Sequence, residues 1–358
     1  MSRTAVKMDT DTIPVTGVEE LEKHLDELLA DPNLEPTLKL FDDVELQLTD
    51  ANIPPLIPRL LPKITEILKQ YQQDPKILCG LAIKLLGPLT FTQILSLASE
   101  DAIIQALRSP APSANILAMT VLEKAAKSPS DAAILAMMNN VVTNFLTQWL
   151  SAPQVEVGEK GSRVLGDILD VDCDTRPPDG LSVNGMEITI RKPPGQGLLW
   201  RRIFYDRDVY DLILSLCTSH PSGVQQQSLA QGRLLRVLPR LAALNFRAVT
   251  WSDFTDLNKK YTGLGGNGGI LHFASLSMID KEDMLMHLNL IDFFEALLSI
   301  QRITPFSTHK IDTLKSLVRD ASIQDNALKA ALLTLPERTI PEEADDLRQF
   351  ILEILDSE

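Results

Sequence analysis

Three glycines, Gly263, Gly265 and Gly268, satisfy the G-x-G-x-x-G pattern that holds the pyrophosphate of a dinucleotide. Such a site needs a strand before the first glycine and a helix that opens at the motif, because the phosphate lies on the helix N-terminus. The residues before the motif, KKYT, have no strand character. The spacing therefore favours a flexible connection between helices over a nucleotide site.

Asp170, Asp172 and Asp174 alternate as in the first half of a calcium loop. In that loop the turn glycine would fall at Thr175 and the bidentate glutamate at Leu181, so both requirements fail. The three carboxylates are instead predicted to form a solvated acidic end of a helix.

Histidines and cysteines give no metal or nucleophile pattern. No two histidines are spaced by four, none lies beside a cysteine, and no GxSxG is present. The sequence therefore predicts no cofactor, no metal and no enzymatic activity, although a catalytic set assembled by folding alone stays open. His272 and His287 lie in apolar segments and are predicted to be satisfied core or interface residues. The five histidines are His24, His220, His272, His287 and His309.

The net charge limits the class of partner, and the cysteine content indicates the cellular compartment. Lys and Arg number 34 against 48 Asp and Glu, for a net charge of −14. That balance argues against nucleic acid or an anionic membrane as the partner, since both need excess positive charge. The three cysteines form no CxxC, which favours a reducing compartment, cytoplasm or nucleus. Neither a signal peptide nor an apolar membrane span is expected.

Arginines concentrate in one part of this acidic chain, beside the amphipathic helix predicted after Pro153. Each alone would be a solvated surface residue, but together they predict a groove for an acidic protein surface, because the planar guanidinium pairs well with carboxylates. On the same helix, acids and an arginine spaced by four are expected to pair with one another. The predicted partner-binding residues are Glu159, Arg163, Asp167, Arg201, Arg202, Arg233 and Arg236.

The elements that position these residues are predicted to be amphipathic helices throughout. Helices opened by Pro75, Pro112 and Pro153 recur at roughly 40 residues, the period of HEAT and armadillo repeats. The predicted fold is therefore an all-α, HEAT/armadillo-like solenoid. A three-helix bundle could account for two such units but not for the whole chain.

Residues 173–197 interrupt the helices with four prolines, and Asn184–Gly185 stands between two strand-like runs. Such a dipeptide is a strong hairpin signal, so we expect an inserted loop or small hairpin there. The segment is also predicted to be the most protease-sensitive internal stretch, with trypsin sites at Arg176, Arg191 and Lys192. The predicted organisation is helical repeats over 1–172, the insertion, and helical repeats with an acidic capping helix over 198–358.

Four strings in the second half of the chain carry a resemblance to known proteins: VGEKGSRVLGDILDVDCD (157–174), GQGLLWRRIFYDRDVYDLILSLC (195–217), RLLRVLPRLAALNF (233–246) and GILHFASLSMIDKEDMLMHLNLIDFFEALL (269–298). They resemble the fungal chaperone family that assembles the base of the 26S proteasome. Its animal counterpart is non-ATPase regulatory subunit five, and fungal members carry an older designation as a DNA mismatch-repair protein. The resemblance covers residues 150–300, whereas the first 150 share only a helical style.

The resemblance implies a solenoid without enzymatic activity that cradles the C-terminal domain of a triple-A ATPase subunit on its concave face and leaves the finished proteasome. The alternative is a helical-repeat scaffold in DNA mismatch repair. On the first hypothesis, reversing Arg233 and Arg236 together to glutamate is expected to weaken binding by roughly 2–5 kcal/mol if both are buried against carboxylates of the partner.

Overall fold

The computed structural model describes residues 14–71, 73–175, 194–263 and 265–356. In these ranges every regular element is helical, and the one extended contact is an isolated antiparallel bridge between Trp251 and Gly268. Many helices pack against helices that are close to them in the chain. The predicted all-α, helical-repeat class is therefore confirmed. None of the described helices is long and apolar enough to span a bilayer.

The helices group into two compact units, Met1–Val121 and Leu122–Glu358. In the first unit, apolar side chains spaced by three or four turn inward, as Val18, Leu21, Leu25 and Leu28 do in the first helix. The helices of this unit are α1 (Val18–Ala30), α2 (Leu38–Glu45), α3 (Ile57–Gln70), α4 (Lys76–Leu85), α5 (Phe91–Leu95), α6 (Glu100–Arg108) and α7 (Pro112–Glu123). The last two residues of α7 belong to the second unit.

The second unit is arranged around its longest helix, α13, which packs against α9, α10, α12, α14, α16 and α17. Its helices are α8 (Pro129–Met137), α9 (Asn139–Ser151), α10 (Val155–Val171), α11 (Leu198–Phe204), α12 (Arg207–Thr218), α13 (Val224–Leu244), α14 (Phe246–Thr250), α15 (Thr255–Thr262), α16 (Ile270–Leu276), α17 (Met284–Arg302), α18 (Thr308–Ser322), α19 (Asn326–Thr334) and α20 (Pro341–Leu355).

Two helix boundaries differ from the sequence prediction. Four prolines lie within residues 54–62 and predict that the helix there is kinked or begins late, near Lys63. Helix α3 instead begins at Ile57, because Pro58 lies in the first turn, where a backbone N–H has no intrahelical partner to lose. The apolar stretch 131–150 predicts one long helix, but it forms two helices, α8 and α9. They meet at Met138, whose φ of −84° and ψ of 67° are not helical.

The glycine-rich connection after α15 is held by hydrogen bonds at its C-terminal end. Gly269 N donates to Thr250 O at 2.9 Å, and Ser252 N donates to Asn267 O at 2.9 Å. A Cβ at Gly269 would lie 2.4 Å from the Val249 carbonyl oxygen, so only glycine fits this approach. The predicted flexible connection is therefore wrong for this end. The element before the motif is a helix rather than a strand, so the dinucleotide pattern lacks its required context.

The predicted hairpin at Asn184–Gly185 and the predicted trypsin sites lie outside the described residues. The proposed boundaries after residues 172 and 197 stay predictions.

Candidate functional site

The predicted partner-binding acids on α10 form ion pairs with other helices of the second unit. Glu159 pairs with Arg236 of α13, and Asp167 Oδ1 accepts a hydrogen bond from Arg240 Nη2 at 2.8 Å. Arg163 Nε lies 3.6 Å from Glu123 Oε1. These ion pairs thus join α10 to neighbouring helices, whereas the sequence predicted pairs between residues spaced by four along α10 itself. Exposed pairs of this kind contribute about 0–1 kcal/mol each.

Arg233 is buried, with 9% of its surface exposed, and it caps the end of α9. Its Nη1 donates to Trp149 O at 2.8 Å and to Leu150 O at 3.3 Å, and its Nη2 donates to Gln154 O at 3.1 Å. The last carbonyls of a helix have no intrahelical donor, and Pro153 has no N–H to offer. Burial lowers the pKa of Arg233, because removal from water disfavours the charged guanidinium.

Glycines on α10 make room for these contacts. A Cβ at Gly158 would lie 2.1 Å from Arg233 Nε, and one at Gly161 would lie 2.6 Å from Trp149 Cδ1. Gly158 and Gly161 were a sequence signal that other helices approach α10 closely, but they do not show which side chain fills the space.

Asp172 is fully buried and organises the start of α11. Its Oδ2 accepts hydrogen bonds from Leu199 N at 2.7 Å and Trp200 N at 3.2 Å, and its Oδ1 accepts one from Leu198 N at 3.2 Å. Three free N–H groups of a helix N-terminus are satisfied in this way. The prediction of a solvated acidic helix end is therefore wrong for Asp172, because its partners are supplied by a helix remote in sequence.

Helix α11 is further anchored by its aromatic residues. Trp200 Nε1 donates to Leu169 O at 2.9 Å, and the Trp200 ring stacks on Phe204 with 5.2 Å between centroids. With these side chains turned inward, Arg201 and Tyr205 point outward and are exposed. The helix is thus a rigid base for exposed cationic and aromatic groups.

A cleft of about 920 Å³ lies beside α11, within the second unit. Its walls combine four arginines with exposed apolar surface, including Met137 at 72% exposure. The lining residues are Ala136, Met137, Asp174, Thr175, Gly197, Leu198, Trp200, Arg201, Arg202, Tyr205, Asp206, Arg207, Asn245 and Arg247.

Two of the four arginines are neutralised locally. Arg202 Nη1 donates to Asp206 Oδ2 at 2.8 Å, and its Nε donates to Ala136 O at 3.3 Å. Arg207 binds the Asp256 carboxylate with both arms of its guanidinium and lowers the pKa of Asp256 to about 2. These two arginines shape the wall of the cleft.

Arg201 and Arg247 are different, because both are exposed and neither has an ion-pair or hydrogen-bond partner for its side chain among the described residues. The structure therefore brings Arg201 and Arg202 together in the cleft. It places Arg236, Glu159, Arg163 and Asp167 in ion pairs on the α10 and α13 side, and it buries Arg233. Sequence reasoning missed Arg247, which has no charged neighbour in the sequence to mark it.

Among the described residues no group of three or more histidines, cysteines or acids is placed to hold a metal ion. His287 Nε2 lies 2.8 Å from Asp325 Oδ2, as expected of a satisfied histidine. His272 differs from its prediction, since its buried Nδ1 has no hydrogen-bond partner in the part of the chain that the structure describes.

Residues 22–157 match the family model described as DNA mismatch repair protein HSM3, N terminal domain. This part of the chain is similar to the N-terminal domain of the HSM3 family. The family recognised from the sequence strings is therefore confirmed under its older designation. The match runs from α1 into the first turn of α10, so the first 150 residues share more with the family than a helical style. A comparison with curated proteins finds no match.

Proposed function

We propose that this protein is a non-enzymatic chaperone that assembles the base of the 26S proteasome by holding the C-terminal domain of a triple-A ATPase subunit. The family match over residues 22–157 and the family-like strings after residue 150 support the assignment. The observation that carries a binding role is the arginine-lined cleft. In a chain of net charge −14, Arg201 and Arg247 present charge that no described residue neutralises.

The proposed mechanism is steric. An ATPase domain held by this chain is kept from docking onto the proteolytic core too early, so the chaperone itself needs no ATP, metal or small-molecule ligand. Arg201 is the predicted partner-binding residue best placed for direct contact. Arg202, Arg236, Glu159, Arg163 and Asp167 would act at the rim, where charge mainly affects encounter rate and specificity. We place the activity in the cytoplasm or nucleus, in keeping with three buried free cysteines.

The test is capture of partners from cell extract on the full chain, followed by mass spectrometry and by titration with the recombinant C-terminal domain of the ATPase subunit that is captured. Enrichment of one proteasomal ATPase, and saturable binding of its C-terminal domain, are expected. An extract in which no proteasomal ATPase exceeds the level on a bare resin would refute the proposal.

A second candidate is a scaffold role in DNA mismatch repair, which the description of the matching family as a mismatch-repair protein favours. It predicts binding to mismatched duplex DNA, either directly or through repair proteins. Direct binding would weaken steeply with added salt, because each phosphate contact releases counterions. Fluorescence anisotropy with matched and mismatched duplexes at low and physiological salt separates the two candidates, and tight mismatch-selective binding would reverse our order.

A further inference from the structure

We infer that the cleft beside α11 is a docking site for an acidic peptide segment of a protein partner, one that carries an apolar side chain among its acidic residues. The inference deepens the proposed function. It rests on that function for the identity of the partner but not for the chemistry of the site.

The charge of the cleft supports an acidic occupant. Of its lining residues, Arg202 and Asp206 neutralise each other, and the charge of Arg207 is taken up by a carboxylate outside the lining. The remaining ionic groups of the lining are Arg201, Arg247 and Asp174, so their net charge is positive although the protein as a whole is acidic. Carboxylates fit guanidinium groups because a planar fork can donate two parallel hydrogen bonds to them.

The apolar walls give the occupant its second feature. Met137, at the end of α8, and Tyr205, just after α11, are 72% and 43% exposed. Both line the same cleft as the open arginines, so an apolar side chain of the bound segment can cover them while its acidic neighbours reach the guanidinium groups. A volume of about 920 Å³ accommodates several side chains of such a segment.

The two open arginines stand on fixed backbone. Asp172 caps the first turn of α11, and Asn245 Oδ1 accepts a hydrogen bond from Ala248 N at 3.1 Å at the start of α14. The two helices contact each other. Binding must therefore order the arginine side chains but not their helices, which lowers the entropic cost of association.

Nucleic acid is the less suitable occupant. A phosphate backbone needs many cationic contacts along its length, and affinity falls with each one that is missing. The cleft offers two open arginines, and the protein as a whole repels phosphate. An oligonucleotide therefore enters the experiment only as a competing outcome.

The experiment uses the full chain and a dye-labelled peptide of alternating glutamate and leucine residues, followed by fluorescence anisotropy. Two matched probes are a peptide with glutamine in place of glutamate and a single-stranded oligonucleotide of the same net charge. We expect saturable binding of the glutamate peptide, at least about tenfold weaker binding of the glutamine peptide, and weakening with salt. Equal binding of the two peptides, absence of binding, or tighter binding of the oligonucleotide would overturn the inference.

The site is assigned with the double variant R201E/R247E, for which we expect an affinity for the glutamate peptide at least about tenfold lower than that of the native chain. R319E/R348E, on α18 and α20, changes the net charge equally at exposed arginines outside the cleft and should bind as the native chain does. Equal losses in both variants would mean attraction by overall charge and would refute the site. R201Q/R247Q, with circular dichroism as a check on folding, keeps the test valid if the reversal disturbs the structure.

A parallel titration with the ATPase C-terminal domain distinguishes the failure of this inference from that of the proposed function. If R201E/R247E loses the peptide but keeps the domain, the cleft binds acidic segments of a different partner and the chaperone proposal stands. If the peptide binds at the cleft and no ATPase is captured, the site stands and the proposed function falls.

Discussion

Replacing Arg233 by methionine should destabilise the second unit by about 3 kcal/mol. The change removes a buried charge that donates to three carbonyls, at 2.8, 3.3 and 3.1 Å. A hydrogen bond to a charged group contributes about 1.5–3 kcal/mol, and the two longer bonds belong at the low end of that range or below it. Removing the charge also regains its desolvation cost, so the net loss is smaller than the sum of the bonds.

The matched control is Arg236→Met, less than one helical turn further along α13. Arg236 forms an exposed pair with Glu159, so its loss should cost under about 1 kcal/mol. Urea unfolding of both variants, followed by far-UV circular dichroism, measures the difference from the shift in midpoint. If Arg233→Met is no less stable than Arg236→Met, the buried cap contributes nothing and the structural role given to Arg233 is wrong.

This result bears on the double reversal of Arg233 and Arg236 considered from the sequence. Glutamate in place of Arg233 would set a carboxylate against three carbonyl oxygens. The variant would therefore be destabilised, whether or not either residue contacts a partner. A fall in partner affinity in that variant would not identify a binding site.

Three further predictions concern packing, capping and pH. Gly161→Ala should cost about 1–3 kcal/mol, since its Cβ would lie 2.6 Å from Trp149; Gly232→Ala, with nothing within 4 Å, should stabilise by about 0.4–1 kcal/mol in the same urea titration. Asp172→Ala should lower the free energy of unfolding by about 2 kcal/mol, because three N–H groups of α11 lose their acceptor. Urea unfolding followed by circular dichroism, compared with the native chain, measures this loss. Burial lowers the pKa of His220 below its ordinary value near 6.5, so the unfolded chain takes up a proton that the folded protein refuses as pH falls below that value. The melting temperature should therefore drop between about pH 7 and pH 5.5, and His220→Gln should flatten this drop.

Helix positions were accessible from the sequence because apolar periodicity and proline starts are local signals. The sequence pattern predicts helix starts at Val18, Pro112 and Gln225. The corresponding helices α1, α7 and α13 begin at Val18, Pro112 and Val224. The break at Met138 was missed because no proline or glycine marks it. Helices α8 and α9 contact each other across the break, and the periodicity of a single segment does not encode such a contact.

The candidate site was harder to predict, because an arginine on a helix has the same appearance in sequence whether it faces solvent or a carbonyl. Arg233 and Arg236 are three residues apart, so their spacing predicts the same side of a helix, yet Arg233 is buried and Arg236 is exposed. The difference is set by Gly158 on another helix, which leaves the space that Arg233 fills. Arg247 was missed for a different reason, since it belongs to a cleft formed by residues of four helices, α8, α11, α12 and α14.

The hydrogen bonds between residues 172–173 and 195–197 make the junction between α10 and α11 a permissive point for protein engineering. Gly195 N donates to Cys173 O at 2.9 Å, and Gly197 N donates to Asp172 O at 2.8 Å. The end of α10 and the start of α11 are therefore held side by side. A reporter domain or epitope inserted between Thr175 and residue 194 would have its ends held together by contacts that already exist. Doubling the length of an unstructured insert there would cost only about 0.6 kcal/mol in closure entropy. The same geometry would let related chains differ freely in length at this junction while keeping every helix in register.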